Sequence, residues 1–214
     1  MGNTVSTVTE QIYRQIRLGI INGELPAGEK LTIKLLNEMY GVSSSPIREA
    51  LTRLQEDGLI EYKPNVGMRV ITLNEQDCKE IFLLLGEFDI IAMRFAMLDE
   101  RRDELISELE STQKKCVDFV NTDDWEQASF DFHLIFYKYA DNKRLDDAAR
   151  KIRSQFSMLA TSYENIPEYR VELNRQHGEI LDALKADDIQ KAEGLLRAHL
   201  ESSFNETLNV GYNK

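Results

Sequence analysis

The 214-residue chain contains three histidines, at positions 133, 177 and 199, all in its second half. Each lies on a separate segment whose apolar residues recur at helical spacing. Phe130, His133, Phe136, Tyr137 and Ala140 form one stripe. Leu173, His177, Ile180, Leu181 and Leu184 form a second, and Ala192, Leu195, Leu196 and His199 a third. Residues three and four apart share a helix face, so every histidine points toward the interior of whatever packs these helices together. A single interior histidine is commonly a hydrogen-bonded core residue. Three facing one core, with none elsewhere, match the donor set of a divalent ion, zinc or nickel first, with open positions for water or a ligand carboxylate. Neutral imidazole is required, so affinity is expected to fall as pH drops through ~6.5. The competing reading is a hydrogen-bonded polar cavity that holds a small molecule without metal. An open three-histidine site is also a catalytic arrangement, so the alternative from another class is a metal-dependent enzyme. Against it, no glutamate or second base stands in a recognisable motif beside the histidines.

The elements that must position these imidazoles read as helices throughout. Asn74 can cap a helix, and from there periodic segments run over about 75–98, 101–121, 123–140, 142–163, 168–186 and 188–209. The breaks D-E-R-R-D, N-T-D-D, A-D-N-K, E-N-I-P and K-A-D-D are short and polar, as between antiparallel bundle neighbours. Gly211 to Lys214 reads as a frayed tail. Cys78 and Cys116 have neither disulfide-framework nor metal-site spacing and read as reduced, buried thiols.

The first 73 residues have a different pattern. Val8, Ile12, Ile16, Gly19 and Ile20 mark an amphipathic helix over about 7–22, and Gly23 stops it. A short helix follows over 32–40, with Thr32 as N-cap and Leu35, Leu36 and Met39 on its buried face. Gly41-Val42-Ser43 turns the chain into a third helix near Ser45, with Pro46 in the first turn and Gly58 as the stop. Two β-like pieces, Leu59 to Tyr62 and Met68 to Thr72, flank Lys63-Pro64-Asn65-Val66-Gly67, which has hairpin chemistry. Helix, helix, turn, helix, hairpin is the order of a winged helix-turn-helix. The expected fold is therefore mainly α: a winged helix-turn-helix over 1–73 and an all-α antiparallel helical bundle over 74–214.

Charge fits this division. The net charge is −11, yet residues 1–73 carry eight Lys/Arg and eight Asp/Glu, so the excess of 29 Asp/Glu over 18 Lys/Arg lies wholly in the second part. A neutral head can bind DNA if its cations share one face, with the acidic bundle turned from phosphate. A recognition helix enters the major groove N-terminus first, where Ser43, Ser44, Ser45 and Arg48 stand, and its N–H groups and dipole favour phosphate. Arg48 is the candidate for bidentate contact with guanine. Arg53 reads equally as a backbone contact or as an ion pair with Glu49 or Glu56. No apolar run approaches the ~18 residues of a membrane span, and the N-terminus has no signal-peptide pattern. Gly2 and Ser6 fit a myristoylation pattern, which is set aside for a cytoplasmic reading.

Leu31–Val70 resembles the GntR family of bacterial transcription regulators. The resemblance rests on G-V-S-S-S-P-I-R-E-A-L-T-R-L-Q-E-D-G-L-I at Gly41–Ile60 and on Gly67 in the wing. It implies double-stranded DNA as partner, with Lys34 at a position where the family often has a DNA-contacting Arg. Lys63, Gly67 and Arg69 belong to the wing. Ser44 stands where the family usually has an operator-contacting Arg, and Thr32-Ile33 lacks the usual acidic residue, so the operator is expected to differ from the common type.

Residues 75–209 resemble the FCD ligand-binding domain of the FadR-like branch. The matching stretches are F-D-F-H at 130–133, A-D-N-K-R-L at 140–145, Q-H-G-E-I-L-D-A-L-K-A-D-D-I-Q-K-A at 176–192 and L-R-A-H-L at 196–200. The resemblance implies a homodimer on a palindromic operator, with affinity set by a small-molecule effector, an organic acid, held in the bundle directly or through metal. The rival of a purely architectural DNA binder sits poorly with polar groups directed into a helical domain. Metal-binding relatives resemble three His plus an Asp four residues before the first, and here that residue is Ser129. Asp131 lies about 200° around the helix from His133 at ~100° per residue and points elsewhere. In the first bundle helix the family often has R-x-x-L-E with the basic residue facing the cavity, whereas Leu85 and Asp89 fill those positions. Candidate effector contacts are therefore Ser129 and a cation from Arg94, Arg150 or Arg153, each of which also fits a solvated helix charge.

Overall fold

The computed structural model describes residues 7–122, 124–164 and 166–211. Helix α1 (Val8–Ile21) begins where the Thr7 hydroxyl accepts from the Glu10 N–H at 3.2 Å. Helix α2 (Ile33–Tyr40) begins at Thr32, which caps the Leu35 N–H at 3.1 Å, and ends at Gly41 with φ 66°. Such hydroxyl caps satisfy N–H groups that the first helical turn leaves open. Helix α3 (Ser44–Glu56) follows after three residues and buries Ile47, Ala50, Leu51 and Leu54. Gly58 stops it in the left-handed region, φ 69°. Strands β1 (Ile60–Lys63) and β2 (Gly67–Val70) pair antiparallel with Ile60 opposite Val70 and Lys63 opposite Gly67. Lys30 adds a single bridge to Arg69 that the local sequence pattern did not announce. Ile12, Ile16, Leu36, Ile47, Leu54 and Val70 close the core of this winged helix-turn-helix.

The second part is α4 (Glu75–Leu98), α5 (Arg102–Asp118), α6 (Asp124–Ala140), α7 (Lys143–Glu164), α8 (Pro167–Lys185) and α9 (Ile189–Gly211). Asn74 caps α4 reciprocally with Asp77, the capping-box arrangement. Helix α4 is the centre of the bundle, packed on α6, α7 and α9. Helix α5 ends at Asp118, earlier than its periodicity implied, and Phe119–Thr122 continue in turns. Asp141 and Asp187 adopt positive φ at the breaks after α6 and α8, a conformation that short polar side chains tolerate best after glycine. Ile90, Met93, Leu105, Phe132, Phe136 and Leu196 belong to the main core of the bundle, and Trp125, wholly buried, forms a second cluster with Ala160 and Leu173. Its indole N–H donates to Asn174 Oδ1 at 3.0 Å, and Asn174 in turn donates to the Cys116 carbonyl at 2.9 Å.

Helix α7 is also where head and bundle meet. The Gln155 side chain donates to the Gly58 carbonyl at 3.1 Å, and Met158 packs against the head core. Helix α1 lies along α7 as well.

Candidate functional site

The imidazoles of His133 on α6, His177 on α8 and His199 on α9 converge inside the bundle. Each offers a ring nitrogen, and these atoms all lie within 4.8 Å of one another. His133 Nε2 and His177 Nε2 are 3.2 Å apart. Two nitrogens bound to one tetrahedral zinc at ~2.0–2.1 Å stand about 3.3–3.4 Å apart, so this pair already has the spacing of a shared ion. His177 is wholly buried and stacked on Phe132 at 4.3 Å between centroids, which fixes its plane. His199 Nδ1 lies 2.8 Å from Gln176 Oε1. A proton placed there leaves its Nε2 as the lone-pair atom. Burial, and then the neighbouring His199 and His133, hold His177 well below its ordinary pKa. Burial, and then His133, bring His199 down to about 3, with Asp89 opposing. These two rings are therefore neutral at physiological pH, the form a metal requires. The expected loss of affinity through ~6.5 shifts to lower pH, because burial has already done the deprotonation.

Sequence reasoning missed one carboxylate. Asp89, on α4 and 1% exposed, places Oδ2 3.0 Å from His133 Nδ1, off the N–H line, and accepts from the Tyr137 hydroxyl at 2.6 Å. Burial alone would raise its pKa, but His133, Arg153 and Tyr137 outweigh burial and the carboxyl is lowered. A carboxylate this close behind a ligating imidazole favours the proton on the near nitrogen and leaves the other free for the metal. The available signal was a lone Asp on the otherwise apolar face of Leu85, Ile90 and Met93. Local spacing could not show which histidine it met.

A cavity of ≈110 Å³ opens beside this cluster, lined by His133 and His199 together with Asp89, Ser129 and Arg153. Ser129 is buried at the place the sequence expects a ligand-facing residue. Arg153 is 4% exposed, with its guanidinium 3.7 Å over the Tyr137 ring. Arg94 and Arg150 are not brought to the cavity. Arg94 pairs with Glu193 on α9, and Arg150 with Asp146 and Asp147, all at the surface. Asp131 likewise faces outward, accepting from Gln127. Two residues of the head, Arg17 and Leu18 on α1, complete the cavity rim.

In the head, Ser43, Ser44, Ser45 and Arg48 stand exposed at the N-terminal end of α3, and among the described residues Arg48 has no ion pair. Lys34 is exposed on α2, 3.9 Å from Glu38. Arg53 meets neither Glu49 nor Glu56. It pairs with Glu10 on α1 at 2.6 Å and lies 4.0 Å over Tyr13. Lys63, two residues along β1, and Arg69, opposite on β2, both reach Glu61, at 3.1 and 3.2 Å, and Gly67 sits at φ 97° in its turn.

Residues 8–70 match the bacterial regulatory proteins of the gntR family, and residues 81–202 match the FCD domain. The chain is a GntR-family transcription regulator of the FCD branch. Relatives carry the same arrangement over nearly the whole chain. A probable D-xylose utilization operon transcriptional repressor from Paenarthrobacter nicotinovorans is 29% identical over 200 residues, 92% of this chain and 87% of that protein. The HTH-type transcriptional repressor RspR of Escherichia coli K12 is 24% identical over 202 residues, 93% and 88% of the two. The solved structure of E. coli McbR/YncC shares the fold with a TM-score of 0.81 at 23% identity, covering 98% of this chain and all of that one. The family and these relatives are regulators of transcription, not enzymes, so the histidine cluster belongs to an effector-binding domain. No described helix is long and apolar enough to cross a membrane.

Proposed function

We propose that this GntR/FCD regulator is a cytoplasmic homodimer that binds a palindromic operator. Its affinity for that operator is set by a divalent metal, zinc or nickel, and a small carboxylate effector in the bundle. The observation that carries the reading is the convergence of His133, His177 and His199 within 4.8 Å beside a cavity that also touches the head. The histidines would hold the ion, and the effector carboxylate or water would complete the coordination that Ser129 cannot supply as an anion. The functional division falls at 73/74, with the head reading DNA and the bundle sensing and dimerising. Arg48 reads a base edge; Lys34, Ser43, Ser44, Ser45, Lys63, Gly67 and Arg69 position the duplex; Arg53 acts mainly by holding α3 to α1. An exposed apolar stripe on α4, Leu84, Ile91, Phe95 and Leu98, supports the dimer, since such patches on soluble proteins mark association faces.

The test is elemental analysis and zinc calorimetry on protein purified without chelator or affinity-tag metal. One zinc per chain should bind at micromolar levels or tighter and raise the unfolding temperature by mass action. His177→Ala should abolish both effects. No binding of zinc, nickel or manganese at micromolar concentration rules out the metal part of the reading.

A further inference from the structure

We infer that Arg153 anchors a second acidic group of the effector, so the ligand class is a small dianion, and that this contact couples occupancy to the head. The inference rests on the reading of the cavity as the effector site. Arg153 is 4% exposed, and its Nε, Nη1 and Nη2 are all without a hydrogen-bond partner. A guanidinium cannot escape burial by giving up its proton, so its N–H donors face the cavity uncompensated. The carboxylates lining the cavity do not spend them. Asp89 is taken by Tyr137 at 2.6 Å and faces His133 at 3.0 Å, and acts on Arg153 only through the field. Glu126 feels Arg17 and Arg170 instead. The Tyr137 ring, 3.7 Å away, holds the guanidinium plane but accepts no hydrogen bond in return. A planar fork of this kind is complementary to carboxylate or phosphate oxygens.

Charge balance narrows the class. Asp89 and Arg153 cancel each other in the cavity wall, as do Glu126 and Arg17 at its rim. A divalent ion on the histidines then leaves two positive charges, which a dianion neutralises and a monoanion does not. The cavity, ≈110 Å³, has room for a small molecule beside the imidazoles. One acidic group at the metal and another at Arg153 therefore describe a short dicarboxylate or an acid phosphate.

The same helix carries the signal. Arg153, Ser157 and Ala160 of α7 face the cavity, while Gln155 holds the Gly58 carbonyl and Met158 packs into the head core. Helix α1 closes the rim through Arg17 and Leu18. A ligand that draws Arg153 inward thus acts on the element to which the head is fastened, meeting the requirement that an effector contact two states differently.

The experiment uses the full chain, zinc-loaded and zinc-free, with malonate, inorganic phosphate and acetate as probes, read by calorimetry and thermal unfolding. Malonate or phosphate should bind the zinc-loaded protein at least tenfold more tightly than acetate. Arg153→Met should bind that dianion at least tenfold more weakly while keeping full zinc affinity, and Arg153→Lys should retain part of the response. In anion-free buffer Arg153→Met should still unfold in one cooperative transition, at a lower temperature than wild type, because it removes the field that compensates Asp89 and the stack on Tyr137. A purely structural arginine would leave the dianion response of the folded variant intact. The inference is overturned if Arg153→Met keeps the dianion response, if acetate matches the dianions, or if no probe binds wild type in either zinc state. Failure of zinc to bind wild type counts against the metal reading alone, since the Arg153 dependence is also scored in the zinc-free protein.

Discussion

Acidification of the metal-free protein should destabilise the bundle well before carboxylates titrate. The perturbation is a drop from about pH 7 to about pH 5 in the presence of a chelator. His199 is buried and its pKa is held down to about 3 from 6.5. A depressed folded-state pKa means that the unfolded chain binds more protons over this window. Stability is thus full above ~6.5 and is lost as pH falls toward the folded value. For one histidine that protonates near 6.5 in the unfolded chain, the descent to pH 5 removes roughly 2 kcal/mol, at about 1.36 kcal/mol for each pH step below 6.5. His177, held well below its ordinary value by burial first, adds loss of the same sign. Glu126, raised by burial, works in the opposite direction over part of the range. Asp99 and Glu172, held to about 2 chiefly by Arg101 and Arg175, act only below the usual carboxylate range. Trp125, the single tryptophan, is wholly buried in the bundle, so urea titrations followed by its fluorescence report this domain and not the head. His199→Asn, which keeps an amide donor for Gln176, should flatten the pH dependence, and zinc should restore stability at the higher pH. Equal stability of the metal-free wild type at both pH values, or an undiminished slope in His199→Asn, would refute the reasoning.

Three further outcomes follow from named contacts. Arg48→Ala should weaken operator binding by ~1–3 kcal/mol and relax preference at one base per half-site, measured by anisotropy on a set of single-base operator variants; unchanged binding would place the wrong residue in the groove. Arg53→Ala should act on the head's fold first, lowering stability by up to ~1 kcal/mol through loss of the half-exposed Glu10 pair and the Tyr13 stack, with base preference intact. Gly58→Ala should lower stability by ~1–2 kcal/mol, because φ is 69° there and the new methyl group meets the Lys151 side chain; an unchanged urea midpoint would count against the close fit of head on α7.

What was legible in the sequence is what local chemistry encodes. Thr32 and Asn74 announce helix starts, Gly41 and Gly58 announce stops, and both kinds of signal act within a few residues. The three histidines were legible for a related reason: each sits on an apolar helical stripe, so its inward direction follows from spacing alone. Asp89 stood without an assigned role and Arg153 as one of three equal candidates, because their roles depend on which helix face meets which: Asp89 meets His133, 44 positions along the chain, and lies in the field of Arg153, 64 positions along. Arg94, Arg150 and Arg153 look alike along the chain, and only packing separates the surface pairs of the first two from the unpaired burial of the third. Arg53 shows the same limit, since its partner Glu10 lies 43 residues away on α1 rather than one turn along α3. The Lys30 bridge to the wing arises from loop closure and has no periodic signature.

We propose that occupancy of the bundle controls the hold of the head on DNA. The most direct measurement selects binding sites for the purified protein from random duplexes and then determines Kd on the selected sequence with the bundle metal-free, zinc-loaded, and zinc-loaded with malonate or phosphate. The selected sites should be inverted repeats, and Kd should change by about 5–150-fold between the emptied and filled bundle, the range of a coupling of ~1–3 kcal/mol. The change should disappear in His177→Ala. An operator affinity that stays the same while calorimetry shows the bundle passing from empty to full would contradict it.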